Sequence, residues 1–153
     1  MSIPPLPAGA ARSKLLKTAN ALHSLCIHLL RRAREADKQS GLSPERLSLL
    51  SILAYTGPQT INRLAEMEQV SPPAISRIVT ALEKAKLALR KRNADDARVV
   101  VVSATPNGKR LVEEGRRRRL DIIAGELSVL PQKDLDMLRL VASVLEKLER
   151  PET

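Results

Sequence analysis

The chain has 153 residues, enough for one domain with a modest core. Phe and Trp are absent and Tyr55 is the single aromatic residue, so any core is built from Leu, Ile, Val and Ala, and the one cysteine excludes an intramolecular disulfide. A net charge of +9 favours a polyanionic partner, while no apolar run approaches the length of a membrane span.

The first residues, Met1-Ser2-Ile3-Pro4-Pro5-Leu6-Pro7, have no basic start and no long apolar stretch. No export signal is expected, and the protein is read as cytoplasmic. A Pro-rich, loose tail runs to about residue 10. A long helix is then expected over about 11–38, with Leu15, Ala19, Leu22, Cys26 and Leu29 on one stripe, broadened by Leu25 and Leu30. Cys26 lies on that stripe and is expected to be a buried structural residue, the alternative being a redox-sensing thiolate, which would need an exposed, pKa-lowering environment. His23 and His28 are five apart and point to different faces, a poor arrangement for a shared metal.

Gly41 breaks this helix, and Ser43-Pro44-Glu45 opens the next with an N-cap, a first-turn proline and an early acid. Leu47, Leu50 and Leu53 carry it to Gly57-Pro58. Thr60 can cap a short helix that turns Ile61, Leu64 and Ala65 inward and Asn62, Arg63 and Glu66 outward. It stops at Glu68-Gln69. Ser71-Pro72-Pro73 then starts a second helix, whose apolar Ile75, Ile78, Val79 and Leu82 fall at i, i+3, i+4 and i+7. That leaves Ala74, Ser76, Arg77, Thr80 and Ala81 wholly or partly outward. Small and hydrogen-bonding residues on an outward face let a backbone approach base edges, although an ordinary surface helix would carry such residues too.

The following segment decides between these readings. Residues 87–92 and 98–104 read as two strands, the second rich in β-branched residues, joined by the turn-forming Asn93-Ala94-Asp95-Asp96-Ala97. Arg90 and Arg92 alternate onto one face of the first strand, and Arg98 opens the second. A helix begins at Thr105-Pro106 and runs to about residue 129, Leu130-Pro131 interrupts it, and a last helix carries Leu138, Val141, Leu145 and Leu148. Residues 71–119 hold 13 Lys/Arg against 5 Asp/Glu, so nearly all the excess charge sits in and just after the helix-turn-helix and hairpin. The densest run, Arg116-Arg117-Arg118-Arg119, points almost all round a helix, and part of it must meet solvent or a partner. No strongly apolar helix face accompanies the basic hairpin to insert into a membrane. There is no Gly-rich phosphate loop, nucleophile motif or metal-ligand cluster, so neither an enzyme nor a cofactor is expected.

These residues together resemble the MarR family of bacterial transcriptional regulators. The resemblance is carried by Ser71-Pro72-Pro73-Ala74-Ile75-Ser76-Arg77-Ile78-Val79 as recognition helix, Leu82-Glu83-Lys84 leading to Leu87, Asp96-Ala97-Arg98 as the family's Asp-x-Arg wing motif, and Ser103-Ala104-Thr105-Pro106-Asn107-Gly108 leading into the next helix. Two departures stand out. Lys86 replaces the glycine that usually ends the recognition helix, so either the wing's angle differs or Lys86 adopts a left-handed conformation. Ala104 replaces the usual leucine.

The resemblance implies a mainly α fold with a small β wing. The winged helix-turn-helix unit is expected over about 43–105, with dimerisation helices at about 11–38 and 106–150 in one MarR-like domain. It implies a homodimer on a near-palindromic operator in double-stranded DNA, mostly as a repressor. Arg98 would enter the minor groove, with Asp96 holding its guanidinium. By chemistry, Arg77 suits a guanine edge, with Ser76 and Thr80 as further contacts to bases or phosphates beside Pro73 and Ala74. Ser71, Arg90, Lys91 and Arg92 suit phosphates. The family also implies a pocket for a small anionic or aromatic ligand between the dimerisation helices and the reader, served here by a basic residue such as Arg31, Arg32 or Arg34. A winged helix used as a protein-interaction module, and a non-specific architectural DNA-binding protein, are the alternatives.

Overall fold

A computed structural model describes residues 3–11, 13–92 and 99–148. In chain order the elements are α1 (Lys14–Asp37), α2 (Pro44–Thr56), β1 (Gln59–Thr60), α3 (Ile61–Glu68), α4 (Pro72–Lys84), β2 (Ala88–Arg92), β3 (Val100–Ala104), α5 (Pro106–Leu127) and α6 (Gln132–Leu148). The chain divides into two compact units, one through Arg119 and the other from Leu120. This is the expected mainly α fold with a small antiparallel sheet.

Local chemistry sets most of the boundaries. Ser13 caps α1, its hydroxyl accepting from the Leu16 N–H at 3.1 Å. One 3-10 turn follows Asp37, and the chain reverses at Gly41 with φ 68°, a left-handed position that suits glycine. The N-terminal residues lie against α1, where Asn20 Nδ2 donates to the Pro4 carbonyl at 2.7 Å.

The core of the first unit is aliphatic throughout. Leu49, Leu50 and Leu53 of α2 meet Leu64 of α3, Ile75, Val79 and Leu82 of α4, Val102 of β3 and Val112 of α5. Leu49 is buried beside the expected Leu47, Leu50 and Leu53, because α2 is covered on more than one side. The sheet has the order β1-β3-β2, with Arg90 opposite Val102 and Arg92 opposite Val100. β1 was not expected. Gln59 and Thr60 pair with Val102 and Val101 while Thr60 also caps α3, so one residue closes a strand and opens a helix.

α4 ends in a Schellman turn. The Lys86 N–H donates to Glu83 O at 2.8 Å and the Leu87 N–H to Leu82 O at 2.9 Å, which requires a left-handed residue at position 86. Lys86 takes that conformation, with φ 59°. A left-handed non-glycine residue costs roughly 1–2 kcal/mol, partly offset by glycine's larger entropy loss on folding. Lys86→Gly is therefore expected to stabilise the protein by about 1 kcal/mol, read as a higher urea midpoint with unchanged slope. A lower midpoint would contradict this.

Cys26 corrects an expectation: it is exposed, not buried. The buried residues of α1 are Ser24 and Ala36, while Leu25, Leu29 and Leu30 are exposed like Cys26. The 3.6-residue stripe is present, but among the described residues only Leu22 of it is half-buried, and Leu15, Ala19, Cys26 and Leu29 are left exposed. α6 likewise buries none of its described residues, leaving Met137, Leu138, Leu140, Val141, Val144 and Leu145 exposed. No described helix is long and apolar enough to cross a membrane.

Candidate nucleic-acid interface

The helix-turn-helix is fixed from both ends. Thr60 Oγ1 accepts from the Arg63 N–H at 3.2 Å, setting the start of α3. Its end is a second Schellman turn, with Gln69 at φ 55° and the Val70 N–H donating to Ala65 O at 3.0 Å. Ser48 on α2 donates to Glu68 Oε1 at 2.7 Å, holding this turn to the core.

Ser71 then precedes Pro72 and Pro73 at the first two positions of α4. Neither proline has an N–H, and the Ala74 and Ile75 N–H groups both donate to Ser71 O. The Ser71 hydroxyl makes no capping bond. Any anion at this helix start is therefore met by the side chain, because the usual backbone donors are missing or used.

Ile75, Val79 and Leu82 are fully buried, which turns the opposite side of α4 to solvent. Pro73, Ser76, Arg77 and Thr80 line one shallow open hollow there. Thus Ser76, Arg77 and Thr80, three of the five residues that periodicity turned outward, are brought onto one accessible surface with Pro73, while Ala74 and Ala81 are half-buried.

The wing is less uniform than its charge pattern suggested. Lys91 and Arg92 are exposed, but Arg90 turns back onto α4 and forms an ion pair with Glu83. Asp96 and Arg98 lie outside the described residues. The hairpin joins α4 and α5 through Thr105, whose N–H donates to Leu87 O at 2.9 Å. Its hydroxyl donates to Lys86 O and accepts from the Gly108 N–H at 3.0 Å. Glu83 and Thr105 entered the sequence reading only within matched motifs and a helix start, with no role at the site. Their signal is weak, since Glu83 reaches Arg90 across a chain reversal that no periodicity describes.

The arginine run at 116–119 splits by face. Arg116 is exposed and pairs with Glu113 at 3.7 Å, whereas Arg119 turns inward to pair with Asp37 on α1. Asp37 and Arg119 also line a cleft with Arg34, Leu42, Leu47 and Ser51. Nearby, partial burial and a hydrogen bond to Glu113 push the Tyr55 phenol above its ordinary pKa, so it stays neutral across physiological pH.

The MarR family model matches residues 42–100, from just before α2 through the start of β3. An HTH-type transcriptional regulator of Mycobacterium tuberculosis is 32% identical over 129 residues, covering 84% of this chain and 90% of that one. The chain belongs to the MarR family of transcriptional regulators.

Solved MarR-like folds agree with this. YusO of Bacillus subtilis is 25% identical with a TM-score of 0.70, covering 90% of this chain and 99% of YusO. A MepR variant of S. aureus, bound to an oligodeoxyribonucleotide, is 20% identical with a TM-score of 0.65, covering 87% of this chain and 98% of that one. In this MarR protein Lys86 itself holds the left-handed turn between α4 and β2.

Proposed function

We propose that this MarR protein acts in the cytoplasm as a homodimer on a near-palindromic operator, mostly as a repressor. The observation that carries this is the division of α4: Ile75, Val79 and Leu82 are fully buried, while Pro73, Ser76, Arg77 and Thr80 form an open surface beside the basic strand β2. Two such helices related by a two-fold axis fit successive major grooves about 10 bp apart. The exposed apolar faces of α1 and α6 supply the surface for the second copy, and the whole chain then acts as one dimeric domain.

Arg77 reads a guanine edge, Ser76 and Thr80 contact neighbouring bases, and Ser71, Lys91 and Arg92 hold phosphates. Asp96 and Arg98 serve the minor groove, a role that rests on the Asp-x-Arg match. A small anionic or aromatic ligand is proposed for the cleft between α1 and α2, where Arg34 and Lys38 supply positive charge beside aliphatic Leu42 and Leu47, while Arg119 is held by Asp37. Such a ligand releases DNA only if it favours a geometry that the operator does not.

Selection of bound duplexes from random DNA tests the reading, with a two-fold symmetric consensus as the expected outcome. Binding without consensus would leave an architectural protein, and no duplex binding at all would leave a protein-interaction module. Arg77→Ala is expected to weaken consensus binding by roughly 1–3 kcal/mol and to relax discrimination at one base pair per half-site. Equal loss on consensus and scrambled duplexes would remove the base-reading role.

A further inference from the structure

Arg90 sits on the wing strand, yet its side chain is used within the protein. Glu83 Oε1 accepts from the Arg90 backbone N–H at 3.0 Å, and Oε2 is ion-paired with the guanidinium. β2 is an edge strand, so Glu83 gives this outward N–H a partner that the sheet does not supply. Both side chains are less than a third exposed, at 29% and 28%, which shields the pair from solvent more than a surface ion pair.

The second guanidinium nitrogen, Nη2, lies 3.2 Å from Ser76 O, 3.2 Å from Ser76 Oγ and 3.4 Å from Thr80 Oγ1. Its two hydrogens serve two of these acceptors at a time. The Thr80 hydroxyl in turn donates to Ser76 O at 2.9 Å. One carboxylate on α4 therefore fixes one arginine on β2, and that arginine reaches back to the two hydroxyls on the outward face of α4.

We propose that Arg90 is a positioning residue for base reading, clamped by Glu83 so that it fixes the Ser76 and Thr80 hydroxyls and the angle between recognition helix and wing. This rests on the DNA-reading assignment of α4 and replaces the phosphate role that the position of Arg90 in a basic strand suggests. By donating to Ser76 Oγ, the guanidinium occupies one of its two acceptor lone pairs and turns the O–H away from Arg90, which biases the Ser76 hydroxyl towards donating. A donor in the major groove selects guanine N7 or O6, adenine N7 or thymine O4 over the cytosine amino group. The same clamp ties β2 to α4 just beyond the Lys86 turn, so a change in the wing's angle is felt at the base-reading hydroxyls.

The test uses the full-length protein, the consensus duplex selected by it and a scrambled duplex of the same length, with affinities measured across a salt series. Arg90→Ala is expected to reduce the consensus-over-scrambled ratio by roughly fivefold or more, with the slope of log affinity against log salt unchanged. Arg90→Lys keeps the charge but lacks the planar fork, and is expected to lose the ratio as well. Glu83→Ala is expected to lose the ratio while its slope steepens by roughly 0.9, as the released Arg90 reaches a phosphate. An Arg90→Ala protein that keeps its ratio and loses roughly 0.9 of slope would make Arg90 a phosphate contact and overturn the proposal. An unchanged ratio in Glu83→Ala would overturn it too, and this holds even if Arg90→Ala fails to fold. A wild type with no preference for any duplex would remove the DNA-reading assignment itself, and is distinguished from these outcomes by being seen before any variant is made.

Discussion

Gly108→Ala is expected to destabilise the protein by about 3 kcal/mol, the upper end of the usual cost of overpacking. Helix propensity predicts the opposite sign, because alanine is favoured over glycine in a helix interior by about 1 kcal/mol. Space decides. A Cβ at Gly108 would stand 2.2 Å from the Leu87 carbonyl oxygen, 3.1 Å from the Leu87 carbonyl carbon and 3.0 Å from Leu50 Cδ1. The carbonyl cannot swing away cheaply, since it accepts from the Thr105 N–H and lies within 3.2 Å of the Thr105 hydroxyl. Leu87 is itself held by its N–H bond to Leu82 and by packing against the core. Relief would move the junction between α4 and the wing, so DNA affinity is expected to fall together with stability. Gly125 on the same helix is the control, as a Cβ there meets nothing within 4 Å. Gly125→Ala is expected to stabilise by up to about 1 kcal/mol. Urea unfolding at one fixed protein concentration reads both variants, because the midpoint of the proposed dimer would depend on concentration. A neutral or stabilising Gly108→Ala would show that α5 does not approach Leu87 this closely.

The contrast between these two glycines also shows what the sequence can reveal. Thr105-Pro106-Asn107-Gly108 is readable as the start of a helix, but the need for glycine there comes from a carbonyl 21 residues upstream, brought in by the sheet. The outward face of α4 was legible because Ile75, Val79 and Leu82 recur at helical spacing, and burying them dictates where Ser76, Arg77 and Thr80 point. β1 was not legible, since two residues carry no alternation and Gln59-Thr60 pairs only because β3 lies beside it. Arg90 illustrates a different gap: counting charge on a strand finds a cation, whereas its partner Glu83 lies across a left-handed turn. The stripe on α1 is present as spaced, and the single chain leaves Leu15, Cys26 and Leu29 exposed on it. Periodicity does not say whether the cover belongs to the same chain, so Cys26 was assigned to a core and lies exposed.

The same reasoning makes α6 the place to break the proposed dimer. Leu140 and Val144 stand one turn apart and are 66% and 50% exposed in the single chain, so aspartates there disturb few contacts within it. The double variant Leu140→Asp with Val144→Asp is therefore expected to keep its helical circular dichroism. Against a second copy the outcome differs, because burying two unpaired carboxylates in an apolar interface costs far more than a solvent-facing position does. Light scattering at micromolar concentration is expected to give the mass of one chain. A single reader then meets one half-site, and losing the linked second contact lowers operator affinity by roughly 10²–10⁴-fold, with a shallower salt slope because fewer phosphates are neutralised. The wild-type mass and operator affinity persisting in this variant would show that another surface holds the two copies. Loss of affinity from a variant that remains dimeric would place the damage in the geometry between the two readers, with association itself intact.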